Sequence, residues 1–267
     1  MKSIKKIAAF GLAAVCVLGT LTGCGKKENT AEESRTKLTV GFDAEYPPYG
    51  YMDENGEYVG FDLDLAEEVC KRNGWELVKN PIDWDAKDME LNSGSIDCIW
   101  NGFTINDRED DYTWSEPYVD NSQVIITKKD SGINTLADLA DKTVLVQADS
   151  AALSALNSDD LIKVTETFGE LTQVADYNSA LMTLESGAAD AVALDKVVAQ
   201  YYVKDKEDTF SIMDEELSTE QYGIGFKKGN TELRDKVQET LNAMLEDGTF
   251  VEIATKWDQQ DVICLGK

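Results

Sequence analysis

Two stretches of this chain repeat one another. Leu91-Asn92-Ser93-Gly94-Ser95-Ile96-Asp97-Cys98-Ile99 and Leu184-Glu185-Ser186-Gly187-Ala188-Ala189-Asp190-Ala191-Val192 share the pattern L-x-S-G-x-x-D-x-[IV]. Each reads as the end of a helix, a glycine C-cap and the start of a strand. Helix-glycine-strand junctions are common in α/β chains, but a match this long favours two similar lobes over coincidence. Both strands run into polar residues, Asn101-Gly102-Phe103-Thr104 after the first and Asp195 after the second. Ligands of open α/β sheets bind beyond the carboxyl ends of the strands. Two lobes presenting those ends to each other would enclose a cleft.

The rest of the chain alternates strand and helix in the same way, which indicates a mostly parallel sheet covered on both faces. Leu38 to Phe42 reads as a buried strand and Tyr51 to Val59 as a hairpin turning at Asn55-Gly56. Asp62 is expected to cap a helix that carries Leu65, Ala66, Val69 and Cys70 on one face and stops at Asn73-Gly74, before a strand at Trp75 to Val78. Further on, Thr135-Leu136-Ala137-Asp138 has the capping-box pattern with Asp in place of Glu. Val144 to Gln147 reads as a strand, Ser150 as the cap of a helix at Ala151 to Leu156, and Ile162 to Thr167 as another strand. Tyr222 to Phe226 is a returning strand, followed by helices at Thr231 to Glu246 and Phe250 to Trp257. Crossings between lobes fall near Asn121 to Val124 and Leu217 to Tyr222. The first lobe is then 37–121 plus 222–267, and the second is 122–221.

The N-terminus leads one to expect a chain that sits outside the cytoplasm. Lys2, Lys5 and Lys6 precede an apolar run from Ile7 to Leu18, which ends in Leu21-Thr22-Gly23-Cys24. That is a secretory signal, residues 1–23, too short to span a membrane in its own right. A cysteine at the cleavage point is the bacterial lipoprotein pattern, so Cys24 is the expected lipidation site. Residues 24–36 are polar and form a tether.

Composition removes whole classes of chemistry. The chain has no histidine, which excludes Ser-His-Asp and Cys-His nucleophilic sites and His-ligated metals. Asp53-Glu54-Asn55-Gly56 lacks the spaced carboxylates of a calcium loop, and no cofactor or metal is expected. Lys and Arg number 25 against 51 Asp and Glu. Loss of the three signal lysines leaves 22 against 51, a net charge of -29 that repels nucleic acid. Cys70, Cys98 and Cys264 remain in the mature chain, allowing at most one disulfide.

The densest constellation runs from Trp100 through Arg108 to Tyr118. Gly102, Thr104, Arg108, Trp114, Ser115, Pro117 and Tyr118 resemble G-[MIF]-[ST]-I-T-x-x-R-x-x-x-x-x-[FW]-[ST]-x-P-Y, the motif of the extracytoplasmic amino-acid-binding receptors of ABC importers, with one residue missing between Thr104 and Arg108. Asp43-x-x-Tyr46-Pro47-Pro48-Tyr49, Gly60-Phe61-Asp62-Leu63-Asp64-Leu65, Trp84 and Ala193-Leu194-Asp195 follow in family order. Val146-Gln147-Ala148-Asp149-Ser150 is similar to V-Q-x-G-S but carries Asp149 where the pattern has glycine. The resemblance covers Leu38 to about Trp257. It implies an α/β, two-lobed periplasmic-binding-protein fold of type II. It also implies capture of a free polar or basic L-amino acid for delivery to permease subunits, by a monomer anchored to the membrane through Cys24.

The resemblance further implies a set of ligand contacts. Arg108 takes the α-carboxylate with Thr104, the amide of Gly102 and the helix start at Ser150. Asp195 takes the α-ammonium with Asn101, Tyr46 and Trp84 clamp the side chain, and Asp43 pairs with its polar end. Physical chemistry supports these roles, because both charges of a zwitterion must be paired once stripped of water. The plain alternative for Arg108 is a solvated ion pair with Asp107, Glu109, Asp110 or Asp111. Two other functions remain open on the same scaffold: an enzyme resembling a cyclohexadienyl dehydratase, and a ligand-sensing lipoprotein.

Overall fold

The computed structural model describes residues 35–267. The signal segment, Cys24 and the tether up to Ser34 lie outside the described residues. Among those described, no helix is long and apolar enough to cross a membrane.

The fold begins with β1 (Lys37–Phe42), whose apolar residues are buried. A small sheet of β2 (Glu45–Tyr46), β3 (Gly50–Met52) and β4 (Tyr58–Val59) follows, with Asn55-Gly56 at the expected turn. Next come α1 (Phe61–Asn73), β5 (Glu76–Pro81), α2 (Lys87–Ser93), β6 (Cys98–Thr104), β7 (Thr113–Trp114) and the long β8 (Val119–Lys128). Then β9 (Thr143–Gln147), α3 (Ala151–Leu156), α4 (Ile162–Thr165), β10 (Glu170–Val174), α5 (Tyr177–Ser186), β11 (Ala191–Asp195), α6 (Lys196–Val203) and β12 (Phe210–Ile212) build a second region. The chain returns along β13 (Ser218–Phe226) and ends in α7 (Thr231–Glu246) and α8 (Thr249–Lys256).

Ten strands form one continuous sheet in the order β10-β9-β11-β8-β13-β6-β1-β5, with β12 on β8 and β7 on β13. Parallel pairs occupy both flanks: β1 with β5 and β6 in one half, β9 with β10 and β11 in the other. The two halves share their middle. β8 and β13 run antiparallel, with Ser218 opposite Gln123 and Tyr222 opposite Val119. Beyond that stretch β8 pairs with β11, and β13 pairs with β6. Each half keeps its own mostly parallel set of strands, as expected, and the two connecting strands carry the hydrogen-bond ladder from one half into the other.

The repeated pattern has a common structural cause. Gly94 and Gly187 both close their helices in the left-handed region, at φ 82° and 81°, where glycine has no side-chain penalty. Three residues later an aspartate grips the neighbouring parallel strand at both ends of one residue. Asp97 accepts the Thr39 N–H at 2.7 Å and its own N–H donates to the Thr39 carbonyl at 2.8 Å. Asp190 does the same to Thr143, at 2.9 Å and 2.9 Å. The aspartate therefore sets the register of the central strand of each half.

Helix packing follows sequence periodicity. α7 buries Leu233, Val237, Leu241 and Met244, spaced at three and four residues, in the core it shares with α1 and α8. Each fully buried aliphatic side chain of this kind contributes about 1.5–3 kcal/mol. Thr135 to Asp138 forms the expected capping box. Two readings are corrected. Ile162 to Thr165 is one turn of helix rather than a strand, and the strand beside β9 is β10. Asp62 does not cap α1; it lies inside the first turn, fully buried, and looks across to β6. Cys70, Cys98 and Cys264 are buried free thiols.

Candidate functional site

The carboxyl ends of β6, β9 and β11 converge on one narrow pocket. Tyr46, Trp84, Asn101, Gly102, Thr104, Arg108, Ser150 and Asp195 line it, eight of the nine expected contact residues. Gln147, Ala151 and Tyr177 complete the wall. Tyr177 had no motif to mark it, but it opens α5 just past the end of β10, the same topological position as the other lining residues. Asp176 caps that helix by accepting the Ser179 N–H at 2.7 Å and so fixes where Tyr177 sits.

Arg108 is set in place by its own loop. The four residues Ile105 to Arg108 make a tight turn, with Arg108 N–H donating to the Ile105 carbonyl at 2.9 Å. Asp107 in that turn is left-handed, at φ 64°, which is how the loop closes with one residue fewer than the motif. Trp114 Nε1 donates to the Arg108 carbonyl at 3.0 Å, so the aromatic of the motif serves as a brace. The guanidinium sits 5.3 Å from the Phe103 ring centre and donates only to carbonyls, of Thr104 at 3.3 Å and Asp149 at 3.1 Å. Among the described residues it forms no ion pair, despite four acidic neighbours in sequence. The solvated-ion-pair alternative does not describe it.

Asp195 is the opposite case. Its carboxylate, 4% exposed, accepts hydrogen bonds from Gln123 Nε2 and Tyr222 Oη at 2.6 Å each and from Asn121 Nδ2 at 3.0 Å. All three donors are neutral, and no cation pairs with it among the described residues. One pocket thus holds a cation without an anion and an anion without a cation.

Several expected contacts take a different form. The Gly102 amide is not free: it donates to Asp62 Oδ2 at 2.6 Å, which also accepts from Tyr118 Oη at 2.8 Å. Burial pushes the Asp62 carboxyl up to about 7. Gly102 is required for space and shape, at φ 55° with room for no Cβ, which would lie 2.9 Å from Tyr46 Cε1. Ser150 Oγ accepts the Leu153 N–H at 3.2 Å and so is committed to capping α3. Asn101 Oδ1 accepts the Asp43 N–H at 2.9 Å, which leaves its buried, unpartnered Nδ2 as a donor rather than the acceptor expected beside an ammonium.

Asp43 is absent from the pocket wall. Its carboxylate accepts from Glu45 N–H at 2.8 Å and from Gln147 Nε2 at 2.6 Å, a hydrogen bond that joins the two halves of the sheet. Burial, ahead of all other causes, raises its pKa to about 6. Tyr46 packs 6.0 Å from Tyr177, ring centre to ring centre, and Trp84 stands edge-on to Phe103 at 5.4 Å.

A second link between the halves went unnoticed in the sequence. Lys87, its side chain 1% exposed, pairs with Asp149 and lies 5.1 Å from the Trp84 ring centre. Burial lowers the pKa of its ammonium. Asp149 occupies φ 56°, the left-handed conformation that explains glycine at this place in the motif. The aspartate keeps that backbone and adds a carboxylate that reaches Lys87.

A model of the bacterial extracellular solute-binding proteins, family 3, matches residues 38–260. The arginine-binding extracellular protein ArtP of Bacillus subtilis is 30% identical over 250 residues, covering 92% of this chain and 95% of its own. The L-cystine-binding protein TcyJ of Escherichia coli is 29% identical over 233 residues, covering 86% and 85%. Among solved structures, an ABC uptake transporter substrate-binding protein from Streptococcus pneumoniae with bound histidine superposes with a TM-score of 0.81 at 35% identity, over 85% of this chain and 94% of that one.

Proposed function

We propose that this chain, which belongs to the bacterial extracellular solute-binding proteins of family 3, captures one free L-amino acid with a polar or basic side chain and delivers it unchanged to the permease of an ABC importer. The observation that carries the reading is the complementary pair of charges, Arg108 and Asp195, which line one pocket and have no counter-ion among the described residues. A zwitterion supplies an anion to the first and a cation to the second. Stripping either charge of water without such a partner is costly. Asn101 Nδ2 and Tyr177 Oη, both buried without partners, are further hydrogen-bonding groups for the ligand. Tyr46 and Trp84 supply aromatic faces for its side chain. Relatives described as binding arginine, cystine and histidine fit a polar or basic ligand.

In this reading residues 37–121 with 222–267 and residues 122–221 are the two lobes, joined where β8 pairs with β13. They close on the ligand, and Asp43 with Gln147 and Lys87 with Asp149 meet across the cleft. Cys24 carries the lipid anchor, and mass spectrometry of protein made in a bacterial host is expected to find an acylated Cys24 as the first residue. An unmodified N-terminus at another position would remove the anchor.

The test of function is a stability screen. Protein unfolded to strip co-purified ligand, then refolded, is heated with each amino acid in turn. A cognate compound at about 100 times its dissociation constant adds about 2.7 kcal/mol of stability. A panel with no shift would sink the capture reading, and a bound compound recovered chemically altered would replace it with an enzyme.

A further inference from the structure

Behind Asp195 lies a second buried carboxylate that the reading so far leaves without a role. Glu220, on β13 and 6% exposed, accepts from Asn121 Nδ2 at 2.7 Å and Gln123 Nε2 at 2.8 Å. These are the same two amide nitrogens that donate to Asp195. Two side-chain amides thus each bridge two carboxylates, and Oδ1 of Asp195 and Oε1 of Glu220 are held close together by common donors. Among the described residues, the titratable groups around the pair are tyrosines, Tyr222 from β13, Tyr46 from β2, Tyr49 from the loop after it and Tyr177 from α5, and the cation that shares the pocket, Arg108, donates to the Thr104 and Asp149 carbonyls rather than to either carboxylate. Lys196, next to Asp195 in sequence, is committed to Glu216 at 2.6 Å.

Two buried carboxylates at this separation, with only neutral donors, do not both carry charge. Glu220 accepts from two donors only, both shared with its neighbour, so the proton is placed on Glu220. Burial first, and the neighbouring Asp195 second, raise the Glu220 pKa to about 8. The site as it stands therefore needs one positive charge and holds a proton in its place.

We propose that Glu220 is a positioning residue for the ammonium site: it holds a proton while the pocket is empty and gives it to solvent when the α-ammonium of an amino acid docks on Asp195. This rests on the reading that Asp195 receives the ammonium. The exchange balances, with one ammonium in, one proton out to buffer and no change in the net charge of the cluster. The docked cation offsets the repulsion from Asp195, so the ionised form of Glu220 becomes the stable one.

The sign of the pH dependence follows. The empty protein binds more protons than the complex, so raising pH favours the complex over the window between the lowered pKa of the complex and about 8. Across that window affinity rises by up to about tenfold per pH unit, and at pH 7 about 0.5 to 1 proton leaves per ligand bound.

The experiment is calorimetry on the mature chain in two buffers of different ionisation enthalpy, with each of the twenty protein L-amino acids and L-cystine as probes. The expected result is a binding heat that differs between buffers by about one proton. Binding heat independent of buffer would overturn the proposal alone. Absence of heat from every probe would overturn the capture reading beneath it. Asp43 is a second proton source to be separated, and Glu220→Gln does so: its carbonyl still accepts from Asn121 and Gln123, so binding at pH 7 is expected to weaken by up to about tenfold yet stay measurable, while proton release disappears. Undiminished release in that variant assigns the proton elsewhere and overturns the role of Glu220. Should the variant fail to fold, the slope of wild-type affinity between pH 6 and pH 8 decides, a flat profile counting against the proposal.

Discussion

Arg108→Ala is expected to weaken amino-acid binding by roughly 30- to 5,000-fold, because truncating one partner of a buried charge pair costs about 2–5 kcal/mol. Among the described residues the guanidinium has no carboxylate partner, so its charge is free for the ligand. Its backbone is braced by Trp114 and its plane rests near Phe103, so the planar fork is already ordered before anything binds. Arg108→Lys keeps the charge but loses that fork, and should recover only part of the affinity. Fold is expected to survive, since Arg108 is half-buried and its side chain makes only two hydrogen bonds, both to carbonyls. Isothermal calorimetry measures the loss, and an unchanged dissociation constant in Arg108→Ala would remove the carboxylate from this position.

The second large effect belongs to the Lys87–Asp149 pair. Breaking a fully buried ion pair costs about 3–5 kcal/mol through the charge left behind. Asp149 is 54% exposed and solvent screens it, so a smaller cost of about 1–3 kcal/mol is expected for Asp149→Gly. Part of that is returned, because glycine relieves the left-handed backbone by about 1–2 kcal/mol. The diagnostic is the double variant. Lys87→Met removes the stranded ammonium, so Asp149→Gly on that background should be neutral or stabilising by denaturant midpoint. An Asp149→Gly substitution that shifts the midpoint equally in the wild-type and Lys87→Met backgrounds would show that the pair contributes nothing.

How much of this was legible in the sequence depends on how local the cause is. The glycine C-caps, the Thr135 capping box and the Asn55-Gly56 turn are set by a few adjacent residues and fall where the sequence puts them. The repeat was readable as architecture, although the reason for its aspartate, a two-ended grip on Thr39 or Thr143, needs the parallel neighbour to be seen. Ile162 to Thr165 misled because Ile and Val favour strands in isolation. There a single helical turn is fixed instead from outside, by Thr165 Oγ1 donating to the Leu156 carbonyl at 2.6 Å.

The pocket was legible through its motif, and the misjudged details are matters of who bonds to whom. Asp62 sits at a helix start, where an acid normally caps, yet long-range pairing turns it to the Gly102 amide. Asp43 was expected to face the ligand and is instead engaged by Gln147, a residue from the other half of the chain. Glu220 carried a fainter sign: it shares the inner face of β13 with Tyr222 and Ile224 at two-residue spacing, so the strand pattern itself directs an acid inward. Nothing in its neighbours in sequence says that another carboxylate waits there.

The strand pair at the centre limits what kind of motion the molecule has. β8 and β13 keep their ladder from one half into the other, so opening the cleft cannot be the swing of two slack connecting loops. If the two halves open and close as proposed, the motion is expected to be a torsion of the two strands, with the change spread over φ and ψ from Val119 to Gln123 and from Ser218 to Tyr222. Such an element behaves as a spring with a resting angle. The amides of those rungs should exchange with deuterium equally slowly in the empty and the loaded protein, while those around Asp149 and Lys87 respond to loading.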